Sequence, residues 1–87
     1  MAKKKKTFYF DDDIDLHGYT REEAIKELEE LVFTSSSKTL LIIHGKGSGV
    51  LKSAVRAFVR KSQHIKSYEF GENINLPGGD GVTVIYT

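Results

Sequence analysis

The sequence contains no cysteine and no tryptophan, and it has a single proline among its 87 residues. The absence of cysteine excludes disulfide bonds and thiolate zinc sites, which fits the reducing environment of the cytoplasm. No apolar run approaches the roughly 20 residues needed to span a membrane, and no signal-peptide pattern precedes the first predicted element. We therefore expect a cytoplasmic protein of one globular domain, without a membrane partner.

Acidic residues are missing from one long stretch, between Lys38 and Tyr68, although the net charge of the whole chain is only +1. Such clustering of bases produces a positive field even when the net charge is small. A second basic cluster is the run Lys3–Lys6, and we interpret residues 1–13 as an arm or linker that precedes a folded domain at residues 14–87. The bases of the acid-free stretch are Lys38, Lys46, Lys52, Arg56, Arg60, Lys61 and Lys66.

Hydrophobic periodicity predicts six elements in the order strand, helix, strand, helix, strand, strand. The strands are expected near residues 13–17, 39–43, 65–70 and 82–86, the helices at 21–33 and 50–62, and a long loop at 71–81. Helical crossovers join parallel strands, whereas a loop joins antiparallel ones. We thus predict an α/β (α+β) two-layer sandwich, with a mixed four-stranded sheet and both helices on one face. The predicted core residues are Leu16, Leu28, Leu41, Ile43, Leu51, Val55, Phe58 and Val84.

The dipeptide His-Gly occurs twice, each time directly after a predicted strand, as His17-Gly18 and His44-Gly45. The carboxyl ends of parallel strands lie at one edge of a sheet, where open α/β sheets bind ligands. The glycine-rich turn at 78–81 is expected to reach the same edge, because the last strand runs back from it. Three segments that are distant in the sequence should therefore converge.

The second of these motifs predicts contact with phosphate. Glycines allow backbone N–H groups to approach an anion, and the N-terminus of the following helix favours negative charge. Lys52, Arg56 and Arg60 are four residues apart and would form a basic stripe along that helix. Alternatively, the glycines only make a tight turn and the stripe is a solvated surface. The candidate nucleic-acid-binding residues are Gly45, Lys46, Gly47, Ser48, Gly49, Lys52, Arg56, Arg60 and Gly79.

Four side chains are candidates for catalysis. Asp15 would orient the imidazole of His17, which would act as general base or acid, and His44 would take the opposite proton role. Lys46 would stabilise charge that develops at phosphorus. The alternative is structural: His17 caps a turn, Asp15 holds a loop, and His44 is a strand-end histidine.

The acidic run Asp11, Asp12, Asp13 and Asp15 could bind a divalent cation through oxygen. A solvated acidic run is the favoured interpretation, since no histidine or cysteine with metal-ligand spacing accompanies it. We therefore predict no metal-ligating residues.

Together these motifs resemble the Smr (small MutS-related) domain over residues 14–87. The resemblance rests on Asp15-Leu16-His17-Gly18, on Glu23-Ala24, on the segment from His44 to Leu51, and on the segment from Gly78 to Val84. It implies a βαβαββ sandwich that binds DNA or RNA and has nicking endonuclease activity, a phosphodiester hydrolysis. Its suspected active-site elements would be residues 15–18 and 44–49, and a divalent cation (Mg²⁺ or Mn²⁺) would be a cofactor only in some members.

The resemblance also implies a context and leaves other functions open. The domain is often the carboxyl-terminal part of a bacterial MutS paralogue, so the rest of a MutS-like parent protein is an expected partner. The alternative to an enzyme is a non-catalytic module that binds DNA or RNA structure, or the ribosome, and is tethered to that parent. A weaker alternative is a small nucleotide-binding protein that uses the glycine loop alone.

Overall fold

The computed structural model describes residues 10–87 and confirms the predicted order of elements. The strands are β1 (Asp12–Asp15), β2 (Thr39–Ile43), β3 (Ser67–Phe70) and β4 (Val82–Tyr86), and the helices are α1 (Arg21–Thr34) and α2 (Val50–Lys61). Two short 3₁₀ helices, Gly71–Ile74 and Gly79–Gly81, lie between β3 and β4. Within residues 10–87, no helix is long and apolar enough to cross a membrane.

The four strands form one mixed sheet in the order β1-β2-β4-β3. β1 pairs with β2 in parallel, and β4 lies between β2 and β3, antiparallel to both. The carboxyl ends of β1, β2 and β3 and the start of β4 therefore lie at one edge of the sheet. We call this the carboxyl edge.

Both helices pack on the same face of the sheet, as predicted. Their buried residues, such as Leu28 and Val55, form one core cluster with Leu40, Ile42 and Ile85 from the two central strands. α1 begins with a capping box: the Thr20 hydroxyl accepts from the Glu23 N–H at 3.1 Å, and the Glu23 carboxylate accepts from the Thr20 N–H at 2.9 Å. This reciprocal pair explains why the helix starts where it does.

The prediction of core residues was half correct. Leu16, Leu28, Val55 and Val84 are buried, whereas Leu41, Ile43, Leu51 and Phe58 are only partly buried. In β2 the two residues that face the helices are Leu40 and Ile42, both fully buried. A continuous apolar strand gives no alternation that would show which set faces the helices.

The segment predicted as a long loop at 71–81 is instead a folded cover on the second face of the sheet. Leu76 packs there against Val82 and Val84, and Leu41 and Ile43 complete this smaller cluster. The Leu76 N–H donates to the Gly71 carbonyl at 3.0 Å, which closes the first turn. The partial burial of Leu41 and Ile43 follows from this cover.

The first strand lies slightly earlier than predicted. It was expected near residues 13–17, but β1 already begins at Asp12, and Asp12 and Asp13 pair with Leu40 and Leu41. β1 ends at Asp15, so His17 lies in the turn that follows and not on the strand. The interpretation of Lys3–Lys6 as part of an arm falls outside the described residues.

Candidate functional site

The two His-Gly motifs line a single groove at the carboxyl edge. The turn after β1 forms one wall, with Asp15, His17, Gly18 and Tyr19, and the loop from His44 to Gly49 forms the other. The Leu16 N–H donates to the Ile43 carbonyl at 2.8 Å, which joins the two walls at their base. The convergence predicted from strand order is therefore present.

The glycine loop leaves the start of α2 without a side-chain cap. Gly49 is the N-cap, with φ of +88°, and no acidic side chain lies in the first turn. Gly45 also has a left-handed backbone, with φ of +77°. A helix start whose first N–H groups have no side-chain acceptor is suited to an anion.

The glycine turn at 78–81 reaches the same edge, as predicted. The Gly81 carbonyl accepts from the backbone N–H groups of both His44 and Gly45, at 3.0 and 2.9 Å. Gly79 itself has φ of +53° and open space around its α-carbon. These backbone bonds fix the turn against the base of the glycine loop.

His17 and Asp15 are brought together, but not as a carboxylate–imidazole pair. The Asp15 Oδ1 accepts from the backbone N–H of His17 at 3.0 Å, and within residues 10–87 the His17 ring donates no hydrogen bond to this carboxylate. The His17 residue is exposed at the groove. Asp15 thus holds the turn that presents His17, which corresponds to the structural alternative for Asp15.

His44 has the opposite environment. It is only 6% exposed, its Nε2 lies 2.9 Å from the Thr83 hydroxyl, and its Nδ1 lies 3.0 Å from the Gly45 carbonyl. Since a carbonyl only accepts, Nδ1 carries the proton and Nε2 accepts from Thr83. Burial is the main cause of a lowered pKa for His44. The ring is therefore neutral at pH 7, with both nitrogens occupied.

Lys46 and Lys52 meet a carboxylate that the sequence analysis did not consider. Lys46 is 67% exposed and its Nζ lies 3.6 Å from Asp80 Oδ1, while the less exposed Lys52 has its Nζ 2.9 Å from Asp80 Oδ2. The hydrogen bond from Lys52, more than any other effect, lowers the pKa of Asp80. The glycine turn at 78–81 therefore supplies, through Asp80, the carboxylate that pairs with both lysines.

Of the other two residues in the predicted basic stripe, Arg56 is paired with an acid and Arg60 is exposed. The Nη2 of Arg56 donates to both carboxylate oxygens of Glu72 at 2.8 Å, and its guanidinium lies 3.9 Å from the centre of the Phe70 ring. Arg60 is exposed and lies at 5.6 Å from the same ring. The acid-free stretch therefore receives its counter-charges from Glu72 and Asp80, which lie beyond it in the sequence.

The acidic run at 11–15 is spread along β1 and its start. The Asp11 carboxylate accepts from the Thr39 N–H at 2.8 Å, and that of Asp12 accepts from the Asp13 N–H at 2.9 Å. Across residues 10–87, no group of three or more histidine or acidic side chains is placed to hold a metal ion. These carboxylates stabilise the backbone at the edge of the sheet.

Fold and site together define a class: a two-layer α/β sandwich with a glycine-rich, lysine-bearing groove at the carboxyl edge of its sheet. The family model described as "Smr domain" matches residues 14–87. The chain belongs to the Smr domain family, which confirms the resemblance seen in its motifs.

Relatives of the chain are much longer proteins. Over 81 residues it is 41% identical to "Endonuclease MutS2" of Caldicellulosiruptor bescii, a match that covers 86% of this chain and 10% of that protein. The corresponding protein of Aquifex aeolicus is 40% identical over 78 residues, with the same two coverages. The chain thus spans about a tenth of the length of these curated relatives.

A solved structure supports the same assignment. The crystal structure of the Smr domain of Thermus thermophilus MutS2 superposes with a TM-score of 0.75 at 33% identity. The match covers 86% of this chain and 95% of that one. The predicted fold class is confirmed by this similarity.

Proposed function

We propose that this domain binds nucleic acid in the groove at the carboxyl edge and nicks DNA there, with RNA as an alternative substrate. The observation that carries the proposal is the juxtaposition of an exposed imidazole, His17, with an exposed ammonium, Lys46, across a glycine-lined groove. An anion at the start of α2 would meet backbone N–H groups, the positive end of the helix and Lys46. Both MutS2 relatives are named as endonucleases, which agrees with this chemistry.

In the proposed reaction, water attacks the phosphorus of a phosphodiester. His17 takes the proton of the water, the bond from phosphorus to the leaving sugar oxygen breaks, and that oxygen is protonated by solvent. Lys46 and the glycine N–H groups stabilise the extra negative charge on the phosphoryl oxygens. One exposed imidazole is sufficient for the proton transfer that starts the step.

Asp15 and His44 enter the proposal as positioning residues. Asp15 fixes the backbone of His17, and His44 links the glycine loop to Thr83 of β4. A role for His44 as the proton partner, the expectation from the sequence, would require its contact with Thr83 to open. Its position behind the loop, with both nitrogens bonded, favours a structural contribution to the groove.

Incubation of the purified domain with supercoiled plasmid, with and without a chelator, tests this function. We expect relaxed circles from the wild type, and their loss in both His17→Ala and Lys46→Ala, because each change removes one of the two exposed groups. His64→Ala and Lys61→Ala are matched controls, since both residues are exposed and lie outside the groove lining. Activity that persists in both groove variants would assign the cleavage to a contaminant or to another site.

A second candidate is a non-catalytic module that binds nucleic-acid structure, or a ribosomal surface, for a larger parent protein. It is favoured by the state of the bases, since Lys52 and Arg56 are already paired and His44 is buried. Both functions predict binding that weakens steeply with salt, but only the enzyme cleaves. The plasmid assay combined with a binding assay on the same samples separates them.

A further inference from the structure

The Asp80 carboxylate lies between two lysines at the start of α2, where a phosphate would bind under the proposed function. Each of its oxygens faces a different ammonium group, Oδ2 that of Lys52 at 2.9 Å and Oδ1 that of Lys46 at 3.6 Å. Two oxygens of one anion bridging two cations is also the geometry expected of the non-bridging oxygens of a phosphodiester. The carboxylate therefore resembles a phosphate in both charge and position.

The backbone, and not the reach of a flexible side chain, determines where this carboxylate lies. Asp80 belongs to the 3₁₀ turn Gly79–Gly81, and the carbonyl of Gly81 accepts from the N–H groups of His44 and Gly45. Gly81 also packs closely on the glycine loop, since a β-carbon there would lie 3.4 Å from Gly45. The turn holds its acid against the loop in the folded domain.

A second acid from the same segment repeats this arrangement one turn further along α2. Glu72 accepts from Arg56 through both of its oxygens at 2.8 Å. In the predicted phosphate-binding stripe, Lys52 and Arg56 are thus each paired with a carboxylate of the same domain. The neighbouring bases also lower the pKa of both carboxyls, so both are ionised at neutral pH.

We propose that Asp80 sets the affinity and selectivity of the groove by acting as an internal competitor of phosphate. A nucleic-acid phosphate gains Lys46 and Lys52 only by displacing the carboxylate from between them. A single phosphate between the two lysines replaces one anion by another and gains little, whereas a chain of phosphates also reaches Arg60, the exposed base further along α2. Asp80 thereby selects a polynucleotide backbone over a mononucleotide, an inference that rests on the proposed function.

Asp80→Asn tests the proposal, because it removes the charge and keeps the shape. We expect binding of a short DNA duplex at low salt to tighten about three- to tenfold, the range for releasing one or two exposed ion pairs. The slope of log affinity against log salt should steepen by up to about 1.8, since each freed lysine contributes about 0.9. Glu29→Gln, which removes the same charge from the exposed face of α1, should change neither quantity by more than about twofold.

A titration with inorganic pyrophosphate, monitored by NMR through the backbone amide signals of residues 45–49, separates this proposal from the proposed function. Tighter pyrophosphate binding by Asp80→Asn supports the competitor role. If neither the wild type nor the variant binds nucleic acid, the proposed function is wrong, but the competitor role is still supported by the pyrophosphate result. Unchanged or weaker binding of both ligands by Asp80→Asn would overturn the competitor role, and weaker binding would make Asp80 a positioning residue for the lysines. Asp80→Ser replaces Asp80→Asn in both assays where the latter does not unfold cooperatively.

Discussion

His17 follows β1 and His44 follows β2, but the environments of the two side chains differ. His17 is exposed in a turn held by Asp15, whereas His44 continues the face of β2 that carries Leu40 and Ile42 and is covered there. That each histidine follows a strand of the sheet could be predicted from the sequence. The burial of His44 could not, because its ring contacts Thr83 of β4, whose register with β2 no local pattern specifies.

The lowered pKa of His44 predicts a pH dependence of folding. The unfolded chain, with an ordinary histidine pKa of about 6.5, takes up a proton more readily than the buried ring. The contribution of His44 to the free energy of unfolding is therefore fully present above that value and is lost as the pH falls through the lower folded pKa. We expect the stability of the wild type, measured by urea denaturation at several pH values, to decrease from pH 7 towards pH 5.

His44→Gln provides the comparison for this prediction. Glutamine can still accept a hydrogen bond from Thr83, but it does not titrate, so the decrease between pH 7 and pH 5 should become shallower. In addition, an NMR pH titration of the folded wild type should show the His44 ring signals changing at a pH below 6.5, because the pKa of His44 is lowered. An equal slope in both proteins would contradict the proposed role of burial.

At the scale of elements, the helices and β4 could be predicted closely, and the segment between β3 and β4 could not. The ends of α1 and α2 fell within one residue of the predicted ends, because a capping box, a glycine loop and a clear apolar stripe define them. The 3₁₀ turns at 71–81 have no comparable periodicity. The clearest sign of a folded cover, the burial of Leu76, depends on contacts with Val82 and Val84.

Gly71 shows how closely this cover fits. A β-carbon at this position would lie 2.2 Å from the Gly79 carbonyl oxygen and 2.5 Å from a methyl of Val82. We expect Gly71→Ala to lower the free energy of unfolding by about 1–3 kcal/mol, the usual cost of overpacking. Chemical denaturation measures the change.

Gly47→Ala is the matched control for Gly71→Ala. Gly47 has no left-handed backbone, and a β-carbon there would have no neighbour within 4 Å, so its replacement should leave stability within about 0.5 kcal/mol. A free energy of unfolding that Gly71→Ala leaves as unchanged as Gly47→Ala does would show that the cover tolerates a side chain at Gly71, against the contact distances.

At the scale of the whole molecule, charge is distributed in a way that the net value of +1 conceals. Without the four lysines of Lys3–Lys6, nine bases remain against 12 acids, which gives residues 7–87 a net charge of −3. Pairing with Glu72 and Asp80 then reduces the field of the acid-free stretch further. A linear count of charges predicted a basic surface, and it failed to include the partners that folding brings from 16 to 34 residues away.

Under the proposed function, this balance predicts that Lys3–Lys6 supply much of the general affinity for nucleic acid. Replacement of all four by serine should weaken binding to every DNA sequence alike, and should lower the salt slope by up to about 3.6. The cleavage rate at saturating protein should stay unchanged, because the groove is intact. If the serine variant lost cleavage but kept its affinity for the same plasmid, the assignment of affinity to Lys3–Lys6 and of cleavage to the groove would be wrong.

The central place of β4 has a consequence for how the chain is made. Translation delivers β1, β2 and β3 first, but within residues 10–87 the strand β3 pairs only with β4, and β2 has β4 as its second neighbour. The sheet is therefore complete only after Val82–Tyr86 has been added. The pairing of β2 with β4 then brings together Leu40 and Ile85, which are 45 residues apart in the sequence. Such distant pairing makes folding slow relative to helical domains of this size. A nascent chain that stops before Val82 leaves β3 unpaired and β2 without its second neighbour, so the complete sheet forms only once β4 has been synthesised.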